Sequence, residues 1–268
     1  MRYTQHLGAA LLAAIFFPAP APLLAQSGVK RVDLLPGWVE PDGTYIGAVR
    51  IALEPGWKTY WRMPGEGGIP AQFDWSGSRN ITSATVHWPT PQVFHDYGME
   101  SYGYSHEVTL PIVFELMPGA QQAAARLTLN FGVCADICIP ARAQTSVIFD
   151  LNQTANTTSI GAALSQGPTE LVDRGVEAVW CSLAPGAHGA MLLTAQMDGG
   201  ALGPDPVIVV ETGNPGIRVG RVEVSLLPGG HRIAAPLDYF GEGALAFERG
   251  SVQFHLLTPE RVFEHQGC

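Results

Sequence analysis

Two cysteines in "FGVCADICIPA", Cys134 and Cys138, stand four positions apart at the end of an apolar run. Asp136 lies between them and Pro140 just behind. This spacing admits three chemistries. The pair could form a stabilising bridge, clamp a soft metal, or exchange electrons as a dithiol and disulfide. In an exchanging pair the second thiol is a natural resolving group, able to attack a mixed disulfide formed by the first. Asp136 opposes thiolate formation where it lies close, so the spacing does not imply a strongly acidic thiol. Exposure at the strand end favours Cys134 as the attacking sulfur.

The chain has four cysteines, the other two being Cys181 and Cys268, so three pairings are open. A polar segment separates the first two from the last two, which favours pairing within each half. A Cys181–Cys268 bridge closes about 88 residues and contributes on the order of 4–5 kcal/mol, whereas a Cys134–Cys138 bridge closes about five and contributes roughly 2 kcal/mol before strain is subtracted. A loop this short leaves little freedom to reach the preferred disulfide geometry, and strained bridges reduce more easily. The long bridge therefore reads as the structural one, and the short bridge as a poor staple and a candidate switch.

Many short strands are expected to position these residues. With 31 Gly and 21 Pro, long helices are disfavoured. Strand-like runs such as "GTYIGAVRIAL", "VTLPIVFEL" and "AQTSVIFDL" are bounded by turn residues. "ARLTLNFGVC" alternates over Leu127, Leu129 and Phe131 and delivers Cys134 at its end. This spacing predicts an immunoglobulin-like sandwich over residues 26–152. Residues 153–169 are polar and small, with one helical turn near Ile160 to Leu164, and read as a linker. Residues 170–268 return to strand patterning and predict a second β-sandwich, so the fold class is all-β with two sandwiches in tandem.

Residues 1–25 read as a secretory signal. Arg2 is followed by the apolar stretch from Leu7 to Phe17, with Ala25 at a small-residue cleavage point. The mature chain is then expected in an exported, disulfide-permissive compartment with no membrane insertion after cleavage. A net charge of −9 argues against nucleic acid as a partner.

"GWKTYWRMPGEGGIP" (Gly56 to Pro70), "FHDYGMESYGYSHEVTLPI" (Phe94 to Ile112) and the cysteine loop follow one another along the chain. Together they resemble the amino-terminal periplasmic domain of DsbD-type thiol:disulfide interchange proteins. The resemblance is closest to the suppressor-of-copper-sensitivity B (ScsB) variant. It covers about Val29 to Asp150 well and the second half weakly.

The resemblance implies an immunoglobulin-like domain whose two cysteines, here Cys134 and Cys138, relay electrons to periplasmic thioredoxin-fold proteins. It implies a covering loop at Asp96, Tyr97 and Gly98, and aromatics near the pair opposite Tyr60 and Trp61. The DsbD domain has five residues between its cysteines where this chain has three, so potential and partner preference do not transfer. Full-length relatives continue into membrane and thioredoxin-like domains. Without them, this chain would be a protein-disulfide reductase-like component needing a separate membrane electron donor. The pathway served, whether cytochrome c biogenesis, copper tolerance or oxidative repair, stays open.

Two alternatives remain beside this reading. His95 and Met99 with Cys134 and Cys138 would suit Cu(I), which favours thiolate and thioether ligands, and would make a copper-binding or copper-tolerance protein. Without a metal-ligand repeat, a solvent-facing loop around Gly98 is preferred, and no metal or other cofactor is expected. The second alternative is a non-catalytic β-sandwich interaction module with two structural bridges. His188, His231, His255 and His265 are scattered and read as surface or strand residues.

Overall fold

The computed structural model describes residues 28–268 apart from Tyr97 and Ala244, so the expected signal segment at residues 1–25 lies outside the described residues. Ten strands fill the first half: β1 (Val29–Val39), β2 (Tyr45–Leu53), β3 (Lys58–Gly65), β4 (Gln72–Asp74), β5 (Ile81–Val86), β6 (Gln92–Asp96), β7 (Met99–Ser105), β8 (Glu107–Leu116), β9 (Gln122–Cys134) and β10 (Cys138–Asp150). They make a four-stranded sheet ordered β1-β2-β8-β5, and a second sheet ordered β10-β9-β3-β7-β6 with β4 also on β9.

Alternation explains why these sheets pack face to face. Along β9, Ala123, Ala125, Leu127, Leu129, Phe131 and Val133 are all at most 2% exposed and point into the core. Tyr45 stacks on Phe149 (ring centroids 4.2 Å apart), and Trp75 meets Phe114 edge-on at 5.3 Å. The even-numbered residues of β9 face the other way. Cys134 is one of them, so it sits on the outer face of its sheet.

Helix α1 (Thr157–Ser165) occupies the segment expected as a linker. It is a docked element. Its Ile160 is fully buried against Leu35, Ile46 and Ala48, on the side of the β1–β2–β8 sheet away from the main core.

The second half holds β11 (Thr169–Glu170), β12 (Val176–Pro185), β13 (Met191–Gly199), β14 (Val207–Glu211), β15 (Ile217–Val219), β16 (Glu223–Leu227), β17 (Gly230–Tyr239), β18 (Gln253–Leu257) and β19 (Val262–Gln266). One sheet is ordered β11-β19-β18-β14; the other is β12-β13-β17-β15, with β16 also on β17. The chain is thus all-β, with two immunoglobulin-like sandwiches in tandem. The core between the two sheets of the second half includes Leu193, Met197, Ile233, Phe254 and Leu256, each at most 1% exposed. Cys181 of β12 bonds Cys268, which follows β19, so this bridge ties the two sheets of the second sandwich together.

The halves are joined by more than the chain. Arg62 of β3 lies 3.2 Å from Glu211 and 3.1 Å from His255 Nε2, and it donates to Gln253. Glu264 Oε2 lies 3.6 Å from His255 Nδ1. His255 is fully buried and meets Trp61 edge-on at 5.5 Å. His231, too, is buried, on β17. Burial pushes the Glu211 carboxyl up, but the His255 hydrogen bond and the Arg62 charge outweigh it and hold the group below its ordinary value.

Candidate functional site

The β9–β10 hairpin turns between Cys134 and Cys138, which are register partners as well as disulfide partners. On the other side of β9, Lys58 of β3 is the register partner of Cys134. Directly opposed residues of an antiparallel ladder project to the same face. Lys58, Cys134 and Cys138 therefore form one row on the outer face of the sheet. Tyr60, two residues past Lys58, projects to that face as well.

The two sulfurs are unlike. Cys134 is only 6% exposed, whereas Cys138 is exposed together with Asp136 and Ile137 of the turn, Ile137 at 70%. This order is the reverse of the exposure expected from the strand end, because the turn that follows Cys134 lifts Cys138 into solvent while neighbouring chain covers Cys134.

Tyr60 reaches the pair directly, its hydroxyl 2.9 Å from Cys138 Sγ. Burial raises the phenol above its ordinary value, and the Asp96 charge adds to the rise. Tyr60 therefore keeps its proton and can donate to sulfur. Its ring lies over Gly132 of β9. A Cβ at that position would come within 3.0 Å of the ring and 2.6 Å of Ile69 Cβ, so the glycine is what allows the tyrosine to lie flat on the strand.

Trp61 faces the opposite way, into the core and toward His255, and does not adjoin the pair. Period-two alternation separates these two aromatics.

The β6–β7 hairpin supplies the next layer. Asp96 and Met99 pair across its two-residue tip, where Gly98 adopts φ +79°, as such tight turns require. Tyr97, the other tip residue, lies outside the described residues. Asp96 forms an ion pair with Lys58, whose ammonium also lies 4.6 Å from the centre of the Phe94 ring. Through Lys58, the hairpin is anchored to the position opposite Cys134. Glu66 Oε2 accepts from the Glu100 backbone N–H (3.3 Å), tying the hairpin to the end of β3. His95 of the same hairpin lies against Glu100 (3.7 Å). Among the described residues, no group of three or more His, Cys, Asp or Glu side chains is arranged to hold a metal ion.

Lys58 and Phe94 are the participants that sequence reasoning did not single out. The signal for Lys58 is a cation at the start of "KTYWRM", and its meaning depends on a cross-strand register.

Residues 31–150 match the family model for thiol:disulfide interchange protein DsbD, N-terminal. The chain's architecture is similar to that of the crystal structure of the N-terminal periplasmic domain of ScsB from Proteus mirabilis. The TM-score is 0.61 at 22% sequence identity, over 86% of this chain and 92% of that one. The likeness runs past the family-matched segment into the second sandwich. No curated protein matches the chain. Among the described residues, no helix is long and apolar enough to cross a membrane.

Proposed function

We propose that this chain is an exported, periplasmic thiol:disulfide exchange protein working through Cys134 and Cys138 with thioredoxin-fold partners. The observation that carries this reading is the asymmetry of the pair. An exposed sulfur is paired with a buried one inside a single turn, in a segment matching a thiol:disulfide interchange family.

A partner thiolate attacks the exposed Cys138 Sγ. The Sγ–Sγ bond breaks, its electron pair leaves on Cys134, and a mixed disulfide joins partner and Cys138. The partner's second thiolate then attacks its own sulfur in that bond and releases Cys138 as a thiolate. The partner leaves oxidised and the pair reduced, with protons taken from solvent. In the reverse direction, Cys138 attacks a partner disulfide and Cys134 resolves the product. Tyr60 donates a hydrogen bond to the Cys138 sulfur whenever it carries charge, which favours the thiolate. The hairpin around Asp96 and Gly98 shields the pair until a partner displaces it, and the second sandwich orients β3 through Arg62.

Trapping tests the assignment. Cys134→Ser leaves the exposed sulfur without a resolving group and should accumulate covalent adducts with thioredoxin-fold proteins. Cys138→Ser should accumulate few. An absence of adducts from both variants would contradict exchange, and equal trapping would contradict the assigned order.

A further inference from the structure

We propose that Lys58 is the counter-cation of the Cys134 thiolate, held in reserve by Asp96 of the β6–β7 hairpin and handed over when a partner lifts that hairpin. This rests on the exchange reading above and adds a residue to it.

The chemistry places an anion on the buried sulfur. When the partner thiolate attacks Cys138, one S–S bond breaks and another forms. The negative charge moves from the partner to Cys134, which is 6% exposed. An anion at that depth is unfavourable unless paired. The cross-strand neighbours of Cys134 are Cys138 on one side and Lys58 on the other, on the same face. Only Lys58 brings a positive charge. Asp136, the charged residue of the turn itself, has the wrong sign for the task and is exposed.

In the resting protein the cation is occupied. The Lys58 side chain is 13% exposed, and among the described residues Asp96 is the one carboxylate within ion-pair distance of it. Phe94, whose ring lies under the ammonium, belongs to the same strand as Asp96. Lifting the hairpin therefore removes both contacts at once and leaves the ammonium free to pair with the sulfur that is becoming charged. The neutral disulfide needs no cation while the hairpin is closed. Small thiols and oxidants that do not displace the hairpin meet a neutralised Lys58. Cap opening and thiolate stabilisation are then a single exchange of ion-pair partners.

The test uses the full chain carrying Cys138→Ser, in which Cys134 is the titrating thiol and Cys181–Cys268 stays bonded. Thiolate absorbance is followed against pH with Lys58→Met, Lys58→Arg or Asp96→Asn added. Lys58→Met should move the titration to higher pH, Lys58→Arg should restore it, and Asp96→Asn should move it lower. In the two-cysteine protein, Lys58→Met should slow reduction by a thioredoxin-fold dithiol, which displaces the hairpin, about three- to tenfold at neutral pH, because a one-unit rise in leaving-thiol pKa reaches the rate only in part.

If Lys58 serves only to tether the hairpin, Lys58→Met loosens the cap, speeds small-dithiol exchange and leaves the titration in place; that result overturns the proposal. Should Lys58→Met fail to fold, an unmoved titration in Asp96→Asn overturns it equally. The titration needs no partner protein. A shifted titration in a chain inert toward thioredoxin-fold proteins would instead overturn the exchange reading and spare the role of Lys58.

Discussion

Each sandwich carries one disulfide, and the two differ in what surrounds them. Cys134–Cys138 joins register partners of one hairpin, so it holds together strands that the β9–β10 ladder already holds. Cys181–Cys268 spans 87 positions and links opposite sheets. Around the first bridge stand a tyrosine hydroxyl, a nearly buried ammonium and a tight hairpin. Around the second stands the apolar core of its own sandwich, against which both cysteines pack. The bridge that reads as structural closes a long loop and packs against a core. The bridge proposed to exchange is short, half in solvent, and ringed by groups able to stabilise a charged sulfur.

The largest effect should come from removing the long bridge. Cys181→Ala with Cys268→Ala should lower the unfolding free energy of the second sandwich by about 4–5 kcal/mol, and Cys134→Ala with Cys138→Ala should cost the first no more than about 2 kcal/mol. Denaturant unfolding followed separately in each sandwich checks this, and equal losses would break the contrast between the bridges. Next comes Arg62→Met. It leaves Glu211 and the buried His255 without their cation, and should destabilise the chain by about 1–3 kcal/mol, read by the same unfolding measurement. Tyr60→Phe should slow exchange with a partner roughly three- to tenfold through one lost hydrogen bond, with little change in stability.

The smallest effect concerns acid. The Glu211 carboxyl is held below its ordinary value of 4.5 in the folded state. Its contribution is therefore fully present above that value and is lost as pH falls through the lower folded value. Thermal melting against pH should show this loss in the native chain and a flatter acid limb in Glu211→Gln.

The strands were legible because Gly and Pro bound them, and because "ARLTLNFGVC" alternates cleanly onto the core. The cysteine turn and the hairpin at Asp96 and Gly98 were legible as motifs. What a motif does not carry is facing and register. Tyr60 and Trp61 are neighbours in the chain and part to opposite faces, a separation that alternation alone would have supplied. Lys58 gains its meaning only from lying opposite Cys134, across strands separated by more than seventy positions. The same holds for Arg62, Glu211, His255 and Glu264, which are scattered in sequence and meet only where the sandwiches join. The exposure of the two sulfurs was misjudged because strand ends are usually open, and here neighbouring chain covers Cys134.

The most direct measurement is differential reduction. The oxidised chain is equilibrated with a reduced thioredoxin-fold protein across a graded thiol buffer, free thiols are alkylated, and each of the four cysteines is mapped by mass spectrometry. The account expects Cys134 and Cys138 to become labelled together under conditions that leave Cys181 and Cys268 bonded. Coincident labelling of all four, or no labelling of the first pair until the chain unfolds, would contradict it.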